Sequence, residues 1–96
     1  MASVRNLKKD IDYLVTEIVS DCQLFMYLHP KDKKVEDAWK IIEGAINMRN
    51  ELFERANHPD GKNDRKLIKQ HYYSIRKDLL EKAHKLFGDI SALSSK

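Results

Sequence analysis

The segment "IKQHYYSIRKDLLEKAHKLFGDI" (residues 68–90) carries the strongest periodic pattern in the chain. Steps of three and four residues place apolar side chains on one face of an α-helix, and this segment keeps those steps without interruption. The positions are Ile68, Tyr72, Ile75, Leu79, Ala83, Leu86 and Ile90. Asp64 is a suitable N-cap, so we predict a helix over residues 64–91. The tail, residues 92–96, is expected to fray because nothing caps it.

Two earlier segments show the same periodicity. The first follows a candidate N-cap, Ser3, and ends before Pro30, which disfavours helical backbone at the preceding residue. We therefore predict a first helix over residues 3–28. A second helix, residues 33–57, follows the candidate cap Asp32 and ends at "NHPDGKND", where Pro-Asp and Asp-Gly are turn signals. Its predicted apolar face comprises Val35, Ala38, Trp39, Ile42, Ala45, Ile46, Leu52, Phe53 and Ala56.

Gly44 interrupts the second helix. Glycine lowers helix stability by roughly 1 kcal/mol relative to alanine. Because Gly44 is expected opposite the apolar stripe, we predict no packing role for it.

Three helices joined by short loops must run antiparallel to their neighbours in sequence. We therefore predict an all-α fold, an antiparallel up-down-up three-helix bundle of long helices in a single domain over residues 1–96. A chain of 96 residues with 42% hydrophobic and 34% charged side chains fits one continuous core. The low content of glycine (3) and proline (2) also favours helices over loop-rich folds.

The cellular compartment is predicted from three features. A single cysteine, Cys22, cannot form an internal disulfide, and "MASVRNLKKD" lacks a signal-peptide core. The apolar run "CQLFMYLHP" is about half the length of a membrane-spanning helix. We expect a soluble cytoplasmic protein that does not contact the membrane.

The side of the third helix next to its stripe carries Tyr73, Leu80 and Phe87, spaced by seven. One interpretation is that these residues form the edge of the core, with Tyr73 half exposed. The other is a surface for a protein partner, since contiguous exposed apolar patches usually mark contacts. A non-catalytic protein-interaction module is therefore the leading hypothesis, with the partner unidentified. Self-association into a homo-oligomer through this surface is left open.

Basic residues are concentrated in the last third of the chain, although the net charge is only +3. Lys66, Lys69, Arg76 and Lys77 share a side of the third helix with Tyr73. Basic side chains around an aromatic ring are typical of contact with phosphates and stacked bases. Most charged helix faces are simply solvated, and the chain has no recognised DNA-binding motif. Nucleic-acid binding is therefore the alternative function.

The stretch "AINMRNELF" (residues 45–53) places Arg49 where the apolar pattern expects leucine. Antiparallel pairing brings Asp10, Asp12, His71 and Tyr72 to the same height. An arginine whose head is buried must be paired, so we predict a polar layer in the core in which Arg49 pairs with Asp10 or Asp12, Asp10 being preferred. Two alternatives are a guanidinium that reaches solvent while its stem stays buried and an anion pocket of Arg49, His71 and Tyr72.

Catalytic and metal-binding chemistry has little support in the sequence. Glu81 and His84 match the Glu-x-x-His spacing of di-iron bundles, but those sites need two such motifs, and Glu81 points away from the stripe. Cys22 lies on the predicted core face of the first helix, where cysteine behaves as a small apolar residue. We predict no catalytic residue, metal site or cofactor, and hence no enzyme.

The opening "MASVRNLKKDIDYLVTEI" resembles a family of short, all-helical, functionally uncharacterised bacterial proteins that begin with a VRNLKKDI-like run. The resemblance is most specific over the first twenty residues. It implies a bacterial, cytosolic protein with an all-α fold. It supplies neither an activity nor site residues.

Overall fold

The computed structural model describes residues 4–58 and 64–94, which form three helices. These are α1 (Val4–Leu28), α2 (Val35–Asn57) and α3 (Arg65–Ser94), with 25, 23 and 30 residues. No strand occurs in these two ranges, and each helix packs against the other two. An all-helical chain of three packed helices is thus confirmed.

Local hydrogen bonds set the starts of α2 and α3. The Asp64 carboxylate accepts a hydrogen bond from the Lys66 amide at 2.9 Å, as an N-cap does. Asp32 similarly accepts from the Lys34 amide at 2.8 Å, but it closes a turn and α2 begins only at Val35. The predicted cap Ser3 and the Pro-Asp-Gly turn signals, residues 59–61, lie outside the described residues.

The C-terminal end of α3 extends further than the sequence predicts. The helix continues to Ser94, and Leu93 is only 7% exposed. Leu93 follows Ile90 by three residues and so continues the apolar stripe into the core. The predicted fraying is wrong for residues 92–94, while residues 95–96 lie outside the described part.

The core is entirely apolar. Among the described residues no polar or charged side chain is buried. The buried set comprises Leu7, Ile11, Val15, Ile18, Cys22 and Phe25 of α1; Ala38, Ile41, Ile42, Ala45, Met48, Leu52 and Ala56 of α2; and Ile75, Leu79, Ala83 and Leu93 of α3.

Helix α2 is rotated relative to the predicted orientation. Ile41 and Met48, which the predicted face omitted, are buried, whereas Trp39 and Ile46 are 58% and 46% exposed. Both sets have helical spacing, and the period alone does not select between them. The rotation also turns Gly44 toward α3, where an added Cβ would lie 3.6 Å from Leu86 Cδ2. The expectation that Gly44 faces away from the bundle is therefore wrong.

The described residues contain no helix whose length and apolar content would suit a lipid bilayer. The three helices form a rod of 54 × 18 × 18 Å. Such a shape leaves long helix flanks at the surface, and those flanks position the candidate site.

Candidate interaction surface

One side of the rod, formed by α1 and α3, displays a row of large apolar side chains. The Asp10 carboxylate of α1 accepts a hydrogen bond from Arg76 Nη1 of α3 at 2.6 Å, which identifies the flanks by which these helices adjoin. Large exposed apolar residues lie on or beside the same flanks, because their spacing in sequence places them on nearly the same side of each helix as Asp10 or Arg76. They are Tyr13, Leu24 and Leu28 of α1 and Tyr73 and Leu80 of α3, each more than half exposed. We call these five residues the α1/α3 face.

The three residues predicted as an interaction surface have different environments. Tyr73 is 71% exposed and Leu80 is 60% exposed. Phe87 is partly buried and packs against the core. The edge-of-core interpretation therefore describes Phe87, whereas Tyr73 and Leu80 are open to solvent.

Arg49 lies at the surface where α1 and α2 adjoin. Its Nε donates a hydrogen bond to Asp12 Oδ1 at 2.6 Å, and the two side chains are 39% and 50% exposed. The guanidinium carbon lies 4.2 Å from the centre of the Phe53 ring, within cation–π range. The guanidinium thus reaches solvent, as predicted in the alternative in which only the stem of Arg49 is buried.

The predicted pairing of Arg49 with Asp10 or Asp12 is confirmed for Asp12, but its placement in a polar layer of the core is wrong. Asp10, the preferred partner, pairs with Arg76 instead, and this ion pair is also at the surface. The physical reason is that Arg49, at the edge of its helix, can keep its charge hydrated at the surface, so burial of a charge is avoided.

The predicted anion pocket is not assembled either. His71 Nε2 donates a hydrogen bond to the Arg55 carbonyl oxygen at 2.6 Å. Tyr72 is partly buried against the core, with its ring centre 5.6 Å from that of His71. His71 and Tyr72 thus take up contacts separate from those of Arg49.

A groove between α2 and α3 is a feature that the sequence analysis missed. Arg55 Nη1 donates to Asp78 Oδ2 at 2.7 Å, and Arg55 Nη2 donates to Ser74 Oγ at 3.4 Å. Together with the His71 contact, this anchors the end of α2 to α3. The sequence signal was the spacing of His71, Ser74 and Asp78, which repeats at three and four residues on the side of α3 away from the basic flank. The open groove beside them measures about 640 Å³.

The groove shows no sign of metal chemistry. Across residues 4–58 and 64–94, no group of three or more histidine, cysteine or carboxylate side chains is placed to hold a metal ion. Glu81 and His84 are both exposed on α3. Cys22 is fully buried, and that burial raises the pKa of its thiol to about 11, with the nearby Asp21 charge adding to the rise. A thiol that stays neutral at physiological pH is a poor nucleophile.

The basic residues of α3 divide into two kinds. Lys66, Lys69 and Lys77 are exposed, and within the described residues no ion pair holds their ammonium groups. Arg76 is half-buried and committed to Asp10. Three of the four basic residues predicted to contact nucleic acid thus have no ion pair within the described part of the chain.

No family model, curated protein or solved structure matches this chain. The likeness of its first residues to the VRNLKKDI-containing bacterial proteins stays a prediction. The exposed surfaces of the three helices are therefore the basis for proposing a function.

Proposed function

We propose that this chain is a non-catalytic protein-interaction module of the cytoplasm that binds a protein partner through the α1/α3 face. The observation that carries the proposal is the exposure of five large apolar side chains along one side of the rod. Single exposed apolar residues are common on soluble proteins. A row of them along one face is typical of a contact surface.

Leu80 and Tyr73 would contribute free energy to the binding of a partner. Full burial of a large apolar side chain contributes roughly 1.5–3 kcal/mol. Both side chains are well over half exposed, so most of that free energy is unused in the folded chain. A partner that covers them would gain it.

We propose the up-down-up topology, in which α1 and α3 are parallel and the α1/α3 face extends along the rod. Cross-helix pairs support it. Lys8 contacts Asn57 while Asp12 contacts Arg49, so numbers rise along α1 as they fall along α2. Between α2 and α3, Glu51 pairs with Lys82 and Arg55 with Asp78, again in opposite order. Two reversals make α1 and α3 parallel.

The proposal is tested by affinity capture from a cytosolic extract with the tagged chain. Leu80→Asp introduces a charge into the α1/α3 face, and we expect it to abolish capture of specific partners. Leu67→Asp is the matched control because Leu67 lies on the same helix, is 47% exposed and borders the α2/α3 groove instead. Equal capture by wild type and both variants would contradict the proposal.

A second candidate function is nucleic-acid binding by the basic flank of α3. It is favoured by the exposed Tyr73, which shares a side of α3 with Lys69 and Lys77, two residues whose ammonium groups have no ion pair within residues 4–58 and 64–94. Fluorescence anisotropy with a single-stranded oligonucleotide should then show binding that weakens steeply with salt and is lost in Lys69→Glu/Lys77→Glu. Absence of binding at low salt would exclude this function.

A further inference from the structure

We propose that the occupant of the α1/α3 face is a second copy of this chain, in a parallel dimer with its two-fold axis along the rods. This inference depends on the proposed function, since it names the partner for the same face. Two observations support it: the relative heights of exposed residues on α1 and α3, and the polar groups beside them.

The register follows from the Asp10–Arg76 ion pair. This contact places α3 residues about 66 positions ahead of the α1 residues at the same height. An offset of 67 aligns two ridges of exposed side chains, each with steps of three and four residues. The ridges are Asp10, Tyr13 and Glu17 on α1 and Lys77, Leu80 and His84 on α3.

A two-fold axis parallel to the rods sets α1 of one copy against α3 of the other at equal height. Tyr13 then lies opposite Leu80 of the partner subunit, and symmetry repeats this contact. One interface therefore contains two copies of this contact between exposed apolar side chains. Neither side chain has to shift along the rod to make it.

The polar groups on either side of this contact are complementary. Asp10 lies opposite Lys77 of the partner subunit, and Glu17 lies opposite His84 of the partner subunit, whose ring N–H can donate a hydrogen bond to a carboxylate. Glu17 and Lys77 have no ion pair within the described residues of one chain. Complementary charges favour one register over others.

Like charges oppose the other face-to-face arrangement at two heights. A two-fold axis perpendicular to the rods sets α1 against α1 and α3 against α3. An axis level with Glu17 and Asp21 would bring these carboxylates near those of the other copy, and an axis level with Lys69 and Lys77 would do the same for these ammonium groups. Like charges across an interface disfavour association. The parallel arrangement avoids both contacts.

The area of the face indicates a weak dimer. A strip about 30 Å long across an 18 Å wide rod covers roughly 550 Å² on each copy, or about 1,100 Å² in total, near the lower limit of specific interfaces. We expect a dissociation constant on the order of micromolar to tens of micromolar.

Sedimentation equilibrium from about 0.1 μM, with fluorescence detection at the low end, to about 1 mM tests the dimer, because this range brackets the expected dissociation constant. The apparent mass should rise from 11.3 kDa toward twice that value. Leu80→Asp should raise the dissociation constant at least tenfold, and Leu67→Asp should behave as wild type. Far-UV circular dichroism of each variant establishes that it folds.

A charge exchange tests the register. Glu17→Lys removes the carboxylate that faces His84, and His84→Glu sets two carboxylates opposite one another, so each variant should weaken the dimer several-fold. The double variant Glu17→Lys/His84→Glu sets an ammonium opposite a carboxylate and should return to within about twofold of wild type. Because the dissociation constant is the readout and circular dichroism monitors folding, such rescue indicates that both residues meet across the interface.

The outcomes separate this inference from the proposed function. A monomer at the highest concentration overturns the dimer, whereas Leu80-dependent capture of a different protein would still support an interaction module. A dimer that Leu80→Asp leaves intact overturns the use of this face. Single charge variants without effect, or a double variant without rescue, overturn the register. A monomer together with capture that is independent of Leu80 removes both proposals.

Discussion

Arg49 shows how a charged residue occurs within an apolar stripe without entering the core. Its guanidinium lies over the Phe53 ring and pairs with Asp12 at the surface. Exposed ion pairs contribute about 0–1 kcal/mol to stability, far less than a buried pair whose disruption costs about 3–5 kcal/mol. Arg49 therefore does not disrupt the core, and its ion pair contributes little to the stability of the fold.

We predict that Arg49→Met lowers the free energy of unfolding by no more than about 1–2 kcal/mol, because it loses an exposed ion pair and an exposed cation–π contact with Phe53. Leu52→Ala, three residues away and fully buried, should cost about 2–5 kcal/mol through the cavity it creates. Urea unfolding monitored by circular dichroism measures both. A loss above about 3 kcal/mol for Arg49→Met would mean that the arginine is buried.

Gly44 offers a stabilising substitution. Gly44→Ala removes the helix penalty of glycine, and the new methyl group would make an ordinary contact with Leu86 Cδ2 at 3.6 Å. We expect the free energy of unfolding to rise by about 0.5–1 kcal/mol. Gly88→Ala, where an added Cβ meets nothing within 4 Å, measures the helix effect alone. A destabilised Gly44→Ala beside a stabilised Gly88→Ala would show that the added methyl group clashes with Leu86 and would contradict this prediction.

At the scale of the element, the last turn of α3 contributes to the core. Leu93 is buried, and its carbonyl oxygen accepts a hydrogen bond from Lys34 Nζ at 3.4 Å, just before α2 begins. The end of α3 therefore packs near the start of α2. This contact explains why the helix continues beyond the predicted boundary.

We predict that Leu93→Ala lowers the free energy of unfolding by about 1–3 kcal/mol, below the full range for core leucines because the site is close to the chain end. Leu80→Ala makes the same change on the same helix at a site that is 60% exposed, and it should cost less than about 0.5 kcal/mol. Thermal unfolding at low protein concentration, where dimerisation is negligible, measures the difference. Equal effects would show that Leu93 does not contribute to the core.

At the scale of the whole molecule, the rod shape gives the proposed dimer a distinctive signature. Side-by-side pairing leaves the longest dimension near 54 Å and broadens the rod in one direction. An end-to-end dimer would nearly double the length. We therefore expect small-angle X-ray scattering at high concentration to show a larger cross-section with an unchanged maximum dimension, and Leu80→Asp to scatter as the single rod. A maximum dimension that grows with concentration would contradict parallel pairing.

The sequence predicted the positions of the three helices better than their contacts. The apolar stripe from Ile68 to Ile90 and the Asp64 cap are local signals, because they involve residues within a few turns of one helix. The end of α3 was misplaced because Leu93 owes its helical state to burial against the bundle. The exposed Tyr73 and Leu80 were recognised as candidates, but whether they were covered depended on the packing of the other helices.

What the sequence by itself determined was therefore the all-helical class, the number of helices and the apolar stripe on α3. Only the tertiary structure decided that α2 turns Ile41 and Met48 inward, that Asp10 meets Arg76, and that Arg49 meets Asp12. The reason is geometric: successive residues differ by about 100° around a helix, so a modest rotation of a helix exchanges the partners of its edge residues while its period stays the same.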